Sequence, residues 1–206
     1  RPGYAVQARE LTQIQSMIQA QIYRFGRHIF KEGSIVLPGQ FTLRVNNGDV
    51  KNNPIDFVKI KSLDIANNEV TVADFVGEKV VGQTSNIAAQ VITVLDSDGT
   101  EANTKTLYVT YLSASPANSQ IRKFIAGETL VSANAGSAIV LSTDPVANTG
   151  YASYFEITEG VIFAKDHFIW FPTQSAVLSR YNPNPSCQVG FYVREDIIRF
   201  TDDAAL

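Results

Sequence analysis

Val76-Gly-Glu-Lys-Val-Val-Gly-Gln-Thr-Ser-Asn-Ile-Ala-Ala-Gln-Val91 returns, loosely rewritten, as Ile125-Ala-Gly-Glu-Thr-Leu-Val-Ser-Ala-Asn-Ala-Gly-Ser-Ala-Ile-Val140. Gly77-Glu78 aligns with Gly127-Glu128, fifty positions on. In each copy an apolar pair follows the Gly-Glu, then a turn of small residues, then an Ala-led strand. The pattern predicts two similar β-hairpins packed in one small domain. Two copies are too few for a solenoid, which needs at least three stacked units.

The neighbouring segments carry the same strand signature. Asp56–Ile60, Glu69–Ala73, Ala89–Leu95 and Lys105–Leu112 are short runs of alternating apolar and polar residues, the period of a half-buried strand. Asp64–Asn68 and Asp96-Ser97-Asp98-Gly99 separate them as turns. Strands this short, with turns this regular, predict a small β-barrel or sandwich. Before them, Ser34–Gly39 leads into Gln40–Val45, followed by the turn signal Asn46-Asn47-Gly48-Asp49. After them, Val161–Phe171 reads as an aromatic-rich pair of strands bending at Lys165-Asp166. Ser175–Ser179 is a further short strand, and Ser186–Arg194 the last. Tyr181-Asn-Pro-Asn-Pro185 between them continues neither helix nor ladder.

Only the first thirty residues break the pattern. Ala5–Phe30 contains no proline and is rich in Gln, Ile and Leu, which suit a helix. Leu11, Ile14, Ile18, Ile22, Phe25 and Ile29 recur every three or four residues and form one narrow apolar stripe. Gly33 supplies a stop. The stripe fits two roles: the inner face of a helix lying on a sheet, or a seam for self-association. The expected fold is therefore mainly β with one long N-terminal helix. Its layout is a discontinuous helix-and-β anchoring domain, residues 1–50 plus 145–206, carrying an inserted small β-barrel or sandwich domain at 51–144 with the two Gly-Glu hairpins.

Composition limits the chemistry. The chain has 206 residues, with 17 Lys and Arg against 20 Asp and Glu and a net charge of −3. That leaves no broad basic field to hold a phosphate backbone, so nucleic acid is not an expected partner. The one cysteine, Cys187, forms no internal disulfide, and no Cys/His set closes a structural zinc site. No apolar run is long enough to span a bilayer. The chain opens on Arg1-Pro2-Gly3 without an initiator Met and stops at Thr201-Asp-Asp-Ala-Ala-Leu206, which reads as an ordered piece of a longer chain.

A search for an active site finds mainly isolated residues. There is no phosphate-binding loop, dinucleotide fingerprint or nucleophile elbow. Asp96-Ser97-Asp98-Gly99 begins like a calcium loop, but Leu107 stands where the bidentate Glu belongs, so a hairpin turn is expected. His28 and His167 stand outside any motif, and Cys187 in a β-run reads as a buried hydrophobe. Glu156 and Glu159 flank an apolar strand and read as a solvated face rather than a glycosidase pair. Tyr151, Tyr154, Phe168, Trp170 and Phe171 could stack on sugar, although strand aromatics more often pack a core or interface. No catalytic residue, cofactor or metal is expected.

Two stretches at the chain ends carry a resemblance. Pro2-Gly-Tyr-Ala-Val-Gln-Ala-Arg-Glu-Leu-Thr-Gln-Ile-Gln-Ser16, continuing into Phe25-Gly-Arg-His-Ile-Phe-Lys-Glu-Gly-Ser34, resembles the start of a family of tailed-bacteriophage virion proteins with a DUF4815-type domain. Gly160-Val-Ile-Phe-Ala, Tyr181, Val189-Gly-Phe-Tyr-Val-Arg-Glu-Asp-Ile-Ile198 and Thr201–Leu206 are similar to the same family. These matching stretches lie chiefly at the two ends of the chain. The resemblance implies a structural protein of the virion, made in the host cytoplasm, that anchors a tail fibre to the baseplate. It implies no catalytic residues. The expected partners are copies of the chain itself, as a homotrimer through Leu11, Ile14, Ile18, Ile22, Phe25 and Ile29, together with other baseplate or tail proteins. Distal regions would meet a host glycan. The alternatives from other classes are a carbohydrate-binding module, resting on the Tyr151/Tyr154 and Phe168/Trp170 aromatics, and a cell-wall or polysaccharide hydrolase.

Overall fold

The computed structural model describes residues 8–45, 54–100, 103–116, 120, 122–142 and 148–194. The expected turn at Asn46–Asp49 and the extreme ends of the chain lie outside these residues. The chain is mainly β with a single N-terminal helix, as the sequence leads one to expect. It divides into two compact units. One comprises Arg1–Phe41, Ile157–Gln174 and Cys187–Leu206, the other Thr42–Glu156 and Ser175–Ser186. These boundaries differ from 50/51 and 144/145.

In the first unit, helix α1 spans Ala8–Ile29. Glu10 lies in its first turn and Arg27 and His28 in its last, the arrangement that suits the helix dipole. The chain then turns through Gly33 at φ +79° into β1 (Ser34–Leu37). With β10 (Gly160–Ala164) and β11 (His167–Phe171), β1 makes an antiparallel sheet in the order β1-β10-β11. Ala164 faces His167, so the β10–β11 turn has only two residues, Lys165 and Asp166, at φ 49° and 63°. Two positive φ values in succession mark the type I′ turn that matches strand twist. Among the α1 residues of described burial, Gly26 is the buried one, because the Phe163 ring lies against the helix there. A Cβ at Gly26 would fall 2.5 Å from Phe163 Cε2. Phe30 then packs on Phe163 and edge-on to Phe168, with ring centroids 6.0 and 5.6 Å away. The opposite sheet face forms a small core of Ile162, Ala164 and Phe171.

The second unit is a larger antiparallel sheet. Its strands are β2 (Phe41–Arg44), β3 (Ile55–Lys59), β4 (Lys79–Gly82), β5 (Ala88–Leu95), β6 (Thr106–Tyr111), β7 (Thr129–Ser132), β8 (Gly136–Ile139), β9 (Thr149–Ile157) and β12 (Gln174–Ser179). The order is β12-β9-β3-β6-β5-β4-β7-β8, with β2 beside β9. β9 belongs here because Ile55 to Val58 pair with Ala152 to Thr149. Just past β8 the chain meets the end of β3 again. Ile60 bridges Val140, Lys61 N–H donates to Ile139 O at 2.8 Å, and Leu141 N–H to Lys59 O at 2.9 Å.

Two clusters pack against β3. Val58, Ile60, Phe75, Val80, Ile87, Leu107 and Leu130 belong to the larger one. Ile55, Phe57, Tyr108, Ala152 and Tyr154 form the second, joined by Val177 and Tyr181. Tyr181 holds the Pro-rich segment down: its ring is 4.8 Å from Phe57 and its hydroxyl 3.0 Å from Thr106 Oγ1.

The two Gly-Glu segments form matching hairpins, β4–β5 and β7–β8. Gly77 and Gly127 have φ +78° and +79°. Each donates its N–H to a valine carbonyl at 3.1 Å, Val91 for one and Val140 for the other. The hairpins lie side by side through β4 and β7, where Val81 pairs with Val131, its own repeat equivalent. A local two-fold relation follows, and each carboxylate serves the other hairpin's turn. Glu128, buried, accepts from Ser85 N–H at 3.0 Å, Thr84 N–H at 3.3 Å and Ser85 Oγ at 3.1 Å. Glu78 accepts from Ser132 Oγ at 3.2 Å and Asn134 Nδ2 at 3.0 Å.

Two strand expectations are corrected. Residues 69–73 give no strand: Leu63 and Glu69 meet in an isolated bridge, and Val72–Phe75 is a 3₁₀ turn that buries Val72 and Phe75. Ser186–Arg194 also forms no strand, although its residues alternate. Alternation sets which way side chains point, but a strand also needs a partner for its backbone groups. Cys187 is consequently exposed rather than buried.

Candidate functional site

The stripe residues lie on one face of α1, and that face is open. Leu11, Ile14, Ile18, Ile22, Phe25 and Ile29 are 46–61% exposed. The reading of the stripe as a helix face lying on a sheet is therefore corrected. α1 meets the sheet of its own unit through Gly26, with Phe30 just beyond its end. At about 100° per residue, this contact lies roughly a quarter to a third of a turn away from the centre of the stripe. The helix thus has two distinct faces: a small one that docks on the sheet of its own unit through a missing Cβ, and a long aliphatic one whose side chains are about half exposed.

A second apolar patch lies on the three-stranded sheet. Leu37 and Trp170 both face Val161 across β10, and they are 56% and 59% exposed. Of the other candidate aromatics only Tyr151 is exposed, at 46%. Tyr154 and Phe171 are buried. Phe168 is taken up by Phe30 and Phe163. Tyr151 lies under Lys123, whose Nζ is 3.6 Å from the ring centroid. Tyr151 and Tyr154, three positions apart on β9, also point to opposite faces. The five aromatics therefore do not form one stacking platform.

The polar candidates are dispersed. His28 and His167 are exposed, and His167 Nδ1 lies 2.7 Å from Lys165 O. Glu156 accepts from Tyr154 Oη at 3.3 Å, and Glu159 is exposed. In the calcium-like loop, Asp98 is tied up by Thr100 and Asn103. The Thr100 hydrogen bond, followed by that from Asn103, holds its carboxyl down at about 2. Among the described residues no group of three or more His, Cys, Asp or Glu could hold a metal, and no helix is long and apolar enough to cross a membrane.

One charged cluster has no counterpart in the sequence reading. Asp56 on β3 lies 3.0 Å from Lys123 Nζ, and Arg44 on β2 donates to Thr110 Oγ1 on β6 at 3.1 Å. Burial pushes the Asp56 carboxyl up, against the pull of Lys123, and burial likewise lowers Arg44. These residues come from segments far apart in the chain, so no local motif could announce them. They contain an ion pair and an arginine, but no nucleophile beside a base. A cleft of about 360 Å³ in the first unit is lined by Arg27, Phe30, Lys31, Glu32, Phe163 and Asp166. Mixed charge around aromatic rings there presents no convergent catalytic set.

No family model matches the chain, and neither does any curated protein or solved structure.

Proposed function

We propose that the chain is a structural protein of a bacteriophage virion that anchors a tail fibre to the baseplate by protein–protein assembly. The observation that carries the assembly part is the uncovered aliphatic face of α1. Fully burying a large apolar side chain contributes about 1.5–3 kcal/mol. Half-exposed residues in that number favour association once a partner covers them. The virion part is supported by the resemblance of the two chain ends to tail and baseplate proteins. The larger unit is read as a small closed barrel, supported by the Ile60–Val140 bridge that joins β8 to β3.

The test is solution mass by light scattering after size exclusion, for the native chain and for Ile14→Asp/Ile18→Asp. A mass near three chains that falls to one in the variant is expected. A monomer at every concentration, unaltered by the variant, would overturn the assembly reading. Gold-labelled antibody against the chain should decorate the tail end of phage particles, and absence of label from intact virions would remove the virion reading.

A second reading, a module that binds host glycan, is favoured by Trp170 alone, exposed beside Leu37 and Val161. Its test is titration with host surface glycan, with binding abolished in a folded Trp170→Ala protein.

A further inference from the structure

The stripe on α1 repeats at eleven residues, not seven. Leu11, Ile14 and Ile18 are followed, eleven positions on, by Ile22, Phe25 and Ile29. A strict seven-residue seam would continue from Ile18 to positions 21, 25 and 28, and of these only Phe25 is apolar, the others being Gln21 and His28. Eleven residues in three turns is about 3.67 per turn, slightly more than the roughly 3.6 of a straight helix. A seam of that period winds gently to the right, whereas seven-residue seams wind to the left.

We propose that three copies of this chain pack their α1 helices in parallel and in register along this repeat, as a nearly straight, slightly right-handed bundle. The inference rests on the assembly reading above and adds orientation and geometry to it.

Three observations select a copy of the chain as the occupant. The first is what borders the stripe. At about 100° per residue, Gln15 and Gln21 stand roughly 60° to either side of its centre. In a parallel bundle one flank of each seam faces the opposite flank of the next helix, so Gln15 and Gln21 border the same interface, where neutral amides can both donate and accept. Arg9, Arg24 and Arg27, whose like charges would repel if gathered at the seam, are placed by the same arithmetic on the far side. The second is residue type: four of the six stripe residues are isoleucine. β-Branched residues at successive seam positions favour three or more strands over two. The third is area. Six side chains, each about half exposed, offer roughly 600 Å² of apolar surface per chain, most of the approximately 800 Å² that each partner buries in a standard interface. The docking contact at Gly26 lies off the stripe, so all six side chains stay available to partners.

Glu10 and His28 stand about 80° off the stripe at its two ends. An antiparallel pair would bring them together, and that is the competing arrangement. The experiment is oxidative cross-linking of the whole chain in a Cys187→Ser background, carrying Leu11→Cys or Ile29→Cys. In the parallel bundle each variant cross-links to itself, and a mixture gives no 11-to-29 product. Gln15→Lys/Gln21→Lys should weaken association at least tenfold, while Arg24→Gln leaves it unchanged. An oligomer that yields the 11-to-29 product, or no self-linked product from either variant, overturns this inference and leaves the assembly reading standing. A monomer in light scattering overturns both.

Discussion

Replacing Glu128 by Ala should damage the larger unit far more than the equivalent change at Glu78. The Glu128 carboxylate is buried and receives N–H groups from Thr84, Ser85 and Ile125 besides the Ser85 hydroxyl. Its loss leaves at least the Ser85 and Ile125 amides without an acceptor. A buried donor left unsatisfied costs about 1–3 kcal/mol, so the expected loss is about 3–5 kcal/mol. Gly82 sharpens the case, because a Cβ there would fall 2.5 Å from Glu128 Oε2, so the carboxylate fills space that no side chain at 82 could share. Among the described residues Glu78 receives the Ser132 hydroxyl and the exposed Asn134 amide, and Glu78→Ala should cost about 1 kcal/mol. For a chain of this size each kcal/mol lowers Tm by about 2–4 °C. Far-UV circular dichroism in urea is the suitable assay. The single tryptophan, Trp170, lies in the other unit and would follow the wrong transition. Equal losses for the two variants, or a Glu128→Ala loss below about 1 kcal/mol, would refute reciprocal capping as a source of stability.

Three further outcomes follow from named contacts. Gly26→Ala should gain about 1 kcal/mol in helix propensity but lose more by driving a methyl into Phe163. Trp170 fluorescence on denaturation should therefore show a net loss in the first unit. Lys165→Asn/Asp166→Gly places the preferred pair on two positive φ values and should stabilise the β10–β11 turn by about 0.5–1 kcal/mol in the same assay. Asp56 has its folded pKa raised by burial, so its contribution is present below the unfolded pKa and is lost as pH rises through the folded one. The stability of wild type relative to Asp56→Asn should fall as pH rises from the ordinary carboxylate range, as read by urea midpoints against pH.

The sequence disclosed those elements whose signal is local. Alternation located β3, β5 and β6, and the Gly-Glu repeat marked both hairpins because Gly77 and Gly127 need a positive φ that few residues adopt easily. Lys165-Asp166 was readable as a bend because both strands around it are strongly apolar. β9 was hidden, since Gly150, Ala152 and Ser153 are poor strand formers. They are small for a reason seen only in the fold: a Cβ at Gly150 would fall 2.7 Å from Phe57 Cε1. Residues 69–73 misled because Val70 and Val72 both turn inward, as alternate strand residues do, from an irregular segment. The candidate interface was visible as a stripe, yet its exposure was not. Which helix face docks is set by Gly26, and a missing side chain leaves no mark in a hydrophobic pattern.

The crossed carboxylates also constrain how the larger unit can fold. Glu128 serves a turn 43 and 44 residues earlier in the chain, and Glu78 reaches Asn134, 56 residues later. A hairpin ordinarily closes by local contacts within microseconds and can seed a sheet by itself. Here each hairpin lacks part of its own turn until the other arrives, and β6 must be placed between them in the chain. Nucleation therefore waits for a long loop to close, and non-local closure of that kind slows folding. The two hairpins should gain amide protection in one kinetic phase, since neither holds its turn alone.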